Sequence, residues 1–192
     1  MNKYPKATTV AYKIFIGLLS LAAFIAAIAN LGVNSWRFFS TFVLALTAGY
    51  FLSCVLAILF SSKRKPNQSL CPMLEGMLIV AYLLQTGTVL FYPDAASPNY
   101  PTLISATIYG VLPILIIVDQ IIFNCKGTWK LAYPLYWLGL PIAYGAWIVV
   151  SANFLTNSTP LYTLPFLHIA EVGFYDFLVW AVLYATITTI LG

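Results

Sequence analysis

Long apolar runs separated by short polar ones set the pattern of the chain. Six runs stand out: Val10–Ala29, Phe38–Phe60, Met73–Tyr92, Leu103–Phe123, Leu131–Ala152 and Val172–Leu191. Each matches the roughly 20 apolar residues that a helix needs to cross a bilayer. They are too long for strands, and the period-two alternation of a transmembrane barrel is absent. The pattern predicts an all-α integral membrane bundle of six transmembrane helices, forming one domain over residues 1–192. The loops are short, so neighbouring helices pack antiparallel. Pro113 and Pro141 fall inside the fourth and fifth runs and predict kinks there. Alanines at 22, 23, 26 and 27 give small-xxx-small spacing, which suits close helix packing.

Composition sharpens this reading. Only 7% of the residues are charged, against about 25% in soluble domains. Such a chain cannot cover a water-facing surface. A soluble globular protein, a disordered chain, a coiled coil and a nucleic-acid partner are all excluded. Membrane lipids are the expected surroundings and partners.

The placement of the charges adds orientation. Lys3, Lys6, Lys13, Lys63, Arg64, Lys65, Lys126 and Lys130 fall on one side of a six-helix weave, and only Arg37 on the other. That bias puts both termini on the cytoplasmic side, with the plasma membrane the expected location. The alternative for the first run is a cleaved signal peptide, since Ala27-Ile28-Ala29 resembles an A-x-A site. Its length favours a retained helix. Cys54, Cys71 and Cys125 fall on the cytoplasmic side and are expected as reduced thiols. A single histidine, His168, excludes a histidine-cluster metal site, and no cofactor motif occurs. The Asn157-Ser158-Thr159 sequon is external and short enough to arise by chance.

Any chemistry must come from scattered residues on different helices. On the external side, Ser40 and Thr41 open helix two, and Tyr109 lies about two turns into helix four. His168, Glu171 and Asp176 flank the start of helix six, with Arg37 as their nearest base. Together they predict an outward-facing polar pocket at the depth of lipid esters. Each also has a structural reading. Helix hydroxyls bond back to their own carbonyls. Tyr109 fits an interfacial anchor, and His168 and Glu171 fit wet loop residues. Asp176 faces the bundle, because a charge at the bilayer centre costs about 2.5–3.5 kcal/mol on insertion scales. Asp119 is the other intramembrane acid. An ion pair with Lys126 or Lys130 is favoured over a proton relay, which needs a second acid at similar depth; Glu75 is the nearest.

Several short segments resemble a known family. Trp137-Leu138-Gly139-Leu140-Pro141-Ile142-Ala143-Tyr144, Pro165-Phe166-Leu167 and Gly173-Phe174 look like the back half of the androgen-induced-gene family, closest to its bacterial six-helix members. Leu112-Pro113-Ile114-Leu115 followed by Asp119 resembles its fourth helix, and Trp36-Arg37-Phe38-Phe39-Ser40-Thr41-Phe42 the start of its second. The resemblance implies a threonine-type hydrolase of fatty-acid esters, as in the animal members, with the threonine at Ser40 or Thr41. The family's histidine falls at or beside Tyr109, where this chain has none. A hydroxyl nucleophile without a base is weak. Either His168 replaces that base, oriented by Glu171 or Asp176, or the fold is kept without hydrolysis. The second reading is preferred, with a lipid-ester hydrolase and a small-solute or proton-coupled transporter as alternatives.

Overall fold

The computed structural model describes residues 5–61, 69–91, 100–123, 130, 132–137, 139–151 and 186. Those residues are helical or in turns, with no strand among them. Helix α1 runs Lys6–Leu31, a 3-10 turn spans Gly32–Arg37, α2 runs Phe39–Phe60 and α3 runs Pro72–Phe91. Helix α4 runs Thr102–Phe123, followed by α5 (Tyr133–Trp137) and α6 (Gly139–Ser151). Helices α1, α2 and α4 are long and apolar enough to cross a membrane. The sixth predicted run, 172–191, lies outside the described residues apart from Thr186.

The exposed faces of these helices are aliphatic, and polar side chains are embedded inside an apolar core built around Ile16, Leu44, Phe51, Leu78 and Ile108. Leu18, Ile25, Leu56, Leu59, Ile114 and Ile121 are exposed, whereas Thr9, Lys13, Ser20, Thr41, Thr47, Glu75, Gln85 and Asp119 are buried. Exposed aliphatics, with the polar side chains kept inside, are what a lipid solvent selects. In α1 the buried residues are Thr9, Lys13, Ile16, Gly17, Ser20, Ala23 and Ala27, one stripe at helical spacing. Small residues on that stripe let α2 approach, so a Cβ added at Gly17 would stand 3.0 Å from Leu52 Cδ2. Ala23 and Ala27 are buried, whereas Ala22 is exposed. Only one alanine pair of the predicted spacing therefore makes the contact. The turn after α1 needs Gly32, whose φ of 58° lies in the region that β-carbons disfavour.

Helix starts follow the sequence chemistry. Pro72 occupies the first position of α3, where its missing N–H costs nothing. The Glu75 backbone N–H closes the first turn onto the Cys71 carbonyl at 3.1 Å, and its carboxylate lies near the positive end of the helix dipole.

Pro113 acts on α4 differently from a simple kink. Its ring would strike the carbonyl four residues earlier, that of Tyr109. A wide π turn over Thr107–Val111 opens the ladder at that place. The Tyr109 carbonyl then accepts a hydrogen bond from Thr86 Oγ1 of α3 at 2.9 Å. A second wide turn spans Asp119–Phe123, and the Leu115 carbonyl before it accepts the Tyr12 hydroxyl of α1 at 2.9 Å. The two wide turns tie α4 to α3 and to α1. Thr86→Val keeps the shape and removes one tie, so it is expected to lower stability by about 1 kcal/mol in a detergent melt. An unchanged melting point would mean that the Tyr109 carbonyl finds another donor.

Candidate functional site

Two polar clusters sit at opposite ends of the bundle. The first is built around Asp119. Lys13 enters from α1 on the buried stripe, and its Nζ lies 2.6 Å from Asp119 Oδ2, with both side chains almost fully buried. The Phe51 ring of α2 stands 5.4 Å from the same ammonium. Glu75 of α3, 1% exposed, lies close enough to feel both charges. Tyr50 links it to α2, its hydroxyl 2.8 Å from Ser69 Oγ and donating to Glu75 Oε2 at 3.4 Å. Tyr12 stacks on Phe123 at 4.7 Å beside the pair. Four helices thus converge on Lys13, Asp119 and Glu75 and two phenols, Tyr50 and Tyr12.

Asp119 is in an ion pair, and the partner seen among the described residues is Lys13, which was not singled out for it from sequence. Lys130 is exposed, and Lys126 lies outside the described residues. Helix α1 begins at Lys6, four residues before the apolar run, and Lys13 sits two turns inside it on the buried face. Glu75 is a second buried acid, close enough to Asp119 to interact with it.

The second cluster lies at the start of α2. Ser40 and Thr41 are both buried. Thr41 Oγ1 pairs with the Tyr100 hydroxyl at 3.0 Å, a partner outside its own helix. Phe38 packs against the Tyr100 ring, centroids 6.1 Å apart. Ser40 lies beside the Tyr109 hydroxyl. Tyr109 is therefore a wall of the hydroxyl cluster. Among the described residues the carboxylates are Glu75 and Asp119, both in the other cluster, and no histidine is present. Arg37 closes the 3-10 turn between α1 and α2. Its side chain, together with His168, Glu171 and Asp176, lies outside the described residues.

Three partners were not singled out from sequence: Lys13 as a buried base, Tyr100 and Tyr50. Lys13 was open to detection. It stands three residues before Ile16 and seven before Ser20, on the face that the small residues mark for packing. Tyr100 and Tyr50 carried no such signal, because 13 tyrosines are spread over the chain. No protein-family model, no curated protein and no solved structure matches this chain.

Proposed function

We propose that the chain is a six-helix membrane protein with cytoplasmic termini that binds the ester region of membrane lipids at its Thr41 end, without hydrolysing them. The observation that carries this reading is the buried hydroxyl pair of Thr41 and Tyr100, 3.0 Å apart, next to Ser40 and Tyr109. Hydroxyl donors in an apolar surround match ester carbonyls, the acceptors that a bilayer presents near the end of a spanning helix. Catalysis needs a base beside the nucleophile. Thr41 instead faces a phenol, which near neutral pH is a hydrogen-bonding partner and not a proton acceptor of useful strength. The positive-inside bias of the lysines supports an outward position for this end. The segments that resemble the androgen-induced-gene family support six helices and a lipid ester as the ligand.

The test combines lipid retention with covalent labelling. Protein purified in mild detergent is expected to carry phospholipid or fatty-acyl ester. In Thr41→Val with Tyr100→Phe that lipid should fall by about fivefold for each hydrogen bond lost, from ~1 kcal/mol apiece. A fluorophosphonate probe should leave the wild type unlabelled. Labelling of the wild type that disappears in Ser40→Ala with Thr41→Ala would replace this reading with the ester hydrolase. Equal lipid retention in wild type and variant would remove the assigned pocket.

A further inference from the structure

Between the two clusters lies a third polar layer that neither uses. Seven residues, about 10.5 Å of helix, separate Lys13 from Ser20 on α1, Glu75 from Tyr82 on α3, and Cys54 from Thr47 on α2. A seven-residue step returns to nearly the same helix face, and Ser20, Thr47 and Tyr82 are all buried like the residues they follow. Each stands near the middle of its helix. Gln85 lies one turn further along α3 toward the Thr41 end and is 3% exposed.

The atoms of this layer are poorly satisfied by protein. Thr47 Oγ1 gives its proton to the Val43 carbonyl at 2.7 Å. Ser20 and Thr47 flank the Tyr82 hydroxyl, yet Ser20 Oγ, Tyr82 Oη and both amide atoms of Gln85 have no hydrogen-bond partner among protein groups. Leaving four such groups dry would cost about 1–3 kcal/mol each. The set offers donors and acceptors together and carries no charge. Water is the ligand that matches it, taking two to four partners per molecule.

We infer that these four atoms hold a chain of water molecules that joins the Lys13–Asp119–Glu75 cluster to the Thr41 hydroxyl cluster and conducts protons along the bundle axis. Each water accepts a proton from one neighbour and passes one of its own to the next. Only O–H bonds form and break, nothing is oxidised or reduced, and the net charge moved is one proton entering at one end and one leaving at the other. The Lys13 ammonium at one end of the line disfavours passage of metal cations, so the current is carried by protons alone. The water-holding atoms are distinct from the lipid-binding hydroxyls, at which the chain only ends.

The experiment is proton flux into vesicles. The full chain is reconstituted into phosphatidylcholine–phosphatidylglycerol liposomes containing a trapped pH dye, and a potassium diffusion potential set by valinomycin drives the flux. Wild-type vesicles are expected to acidify at least tenfold faster than protein-free ones. Gln85→Leu with Tyr82→Phe should return the rate to the protein-free level while the protein elutes as wild type in detergent. Ser20→Ala, the smallest change, should lower the rate several-fold and serves as the test if the double variant does not fold. Wild-type flux equal to that of empty vesicles would overturn the inference. So would undiminished flux in the folded double variant, or in Ser20→Ala if the double variant does not fold. A sodium leak as fast as the proton flux would also overturn it. A dry, purely structural layer predicts a raised melting point in Gln85→Leu with no flux in any sample.

Discussion

Lys13→Met is expected to be among the most damaging single substitutions in the chain, and Asp119→Asn to match it. The two side chains are 1% and 0% exposed and meet at 2.6 Å. In that setting the value of the pair and the cost of breaking it differ greatly. Desolvating two ions offsets most of their attraction, so the intact pair contributes little net stability. Removing one partner leaves the other charge buried, at about 3–5 kcal/mol. For a chain of this length that corresponds to a fall on the order of 10 °C in melting temperature. The double substitution Lys13→Met with Asp119→Leu removes both charges and fills the space with apolar atoms. It should recover most of the loss, because neither ion of the pair is then stranded and Glu75, which remains, still accepts from the Tyr50 hydroxyl. Tryptophan fluorescence melts in one detergent read all four proteins. Single variants melting within about 2 °C of wild type, less than 1 kcal/mol on this scale, would show that the ammonium and carboxylate reach water without each other. A double variant no better than the singles would show that the pair itself is strongly favourable.

The same residues show how far the sequence carried. The runs at 38–60, 73–92 and 103–123 reappear as α2, α3 and α4 with ends shifted by one residue at most, because an unbroken apolar run of bilayer length leaves a chain little alternative to a helix. The start of α1 was misplaced. Apolarity marks where a helix meets hydrocarbon, whereas the helix itself extends through Lys6-Ala7-Thr8-Thr9 into its polar end. Lys13 lies inside the predicted run as well, so the shifted start did not hide it; the packing of α1 against α4 brings it to Asp119. An acid inside a membrane helix announces that it needs a partner, but only packing says which base can reach it. Pro113 likewise announced a local break in α4. It did not announce that the break would take the form of a wide turn, nor that the Tyr109 carbonyl would be met by Thr86. For the hydroxyl cluster, Ser40 and Thr41 were legible from their place at the start of a helix. Tyr100 comes from the segment just before α4, and chain connectivity gives no hint that it returns to α2.

Gly76→Ala should also cost heavily, against the usual preference of helices. In an open helix position the change stabilises by roughly 1 kcal/mol, since alanine is the better helix former. At Gly76 a Cβ would collide with ring atoms of Trp137, whose indole is fully buried and donates from Nε1 to the Met73 carbonyl at 3.0 Å. An indole is rigid and has no outer torsion that folds its edge away, so α3 and α5 must separate or the ring must leave its site. Overpacking of that kind costs about 1–3 kcal/mol and occasionally more, which outweighs the propensity gain. Gly87→Ala is the control on the same helix, because open space surrounds the position its Cβ would occupy; there the propensity gain should appear as a slightly higher melting point. Trp137→Phe in the Gly76→Ala background should return part of the loss by removing the colliding edge, although the bond to Met73 goes with it. Gly76→Ala melting at or above Gly87→Ala would refute the close approach. Where the loss is found, it reaches the charged cluster too: Glu75 is the neighbouring residue, and a shift of α3 away from Trp137 moves that carboxylate relative to Lys13 and Asp119.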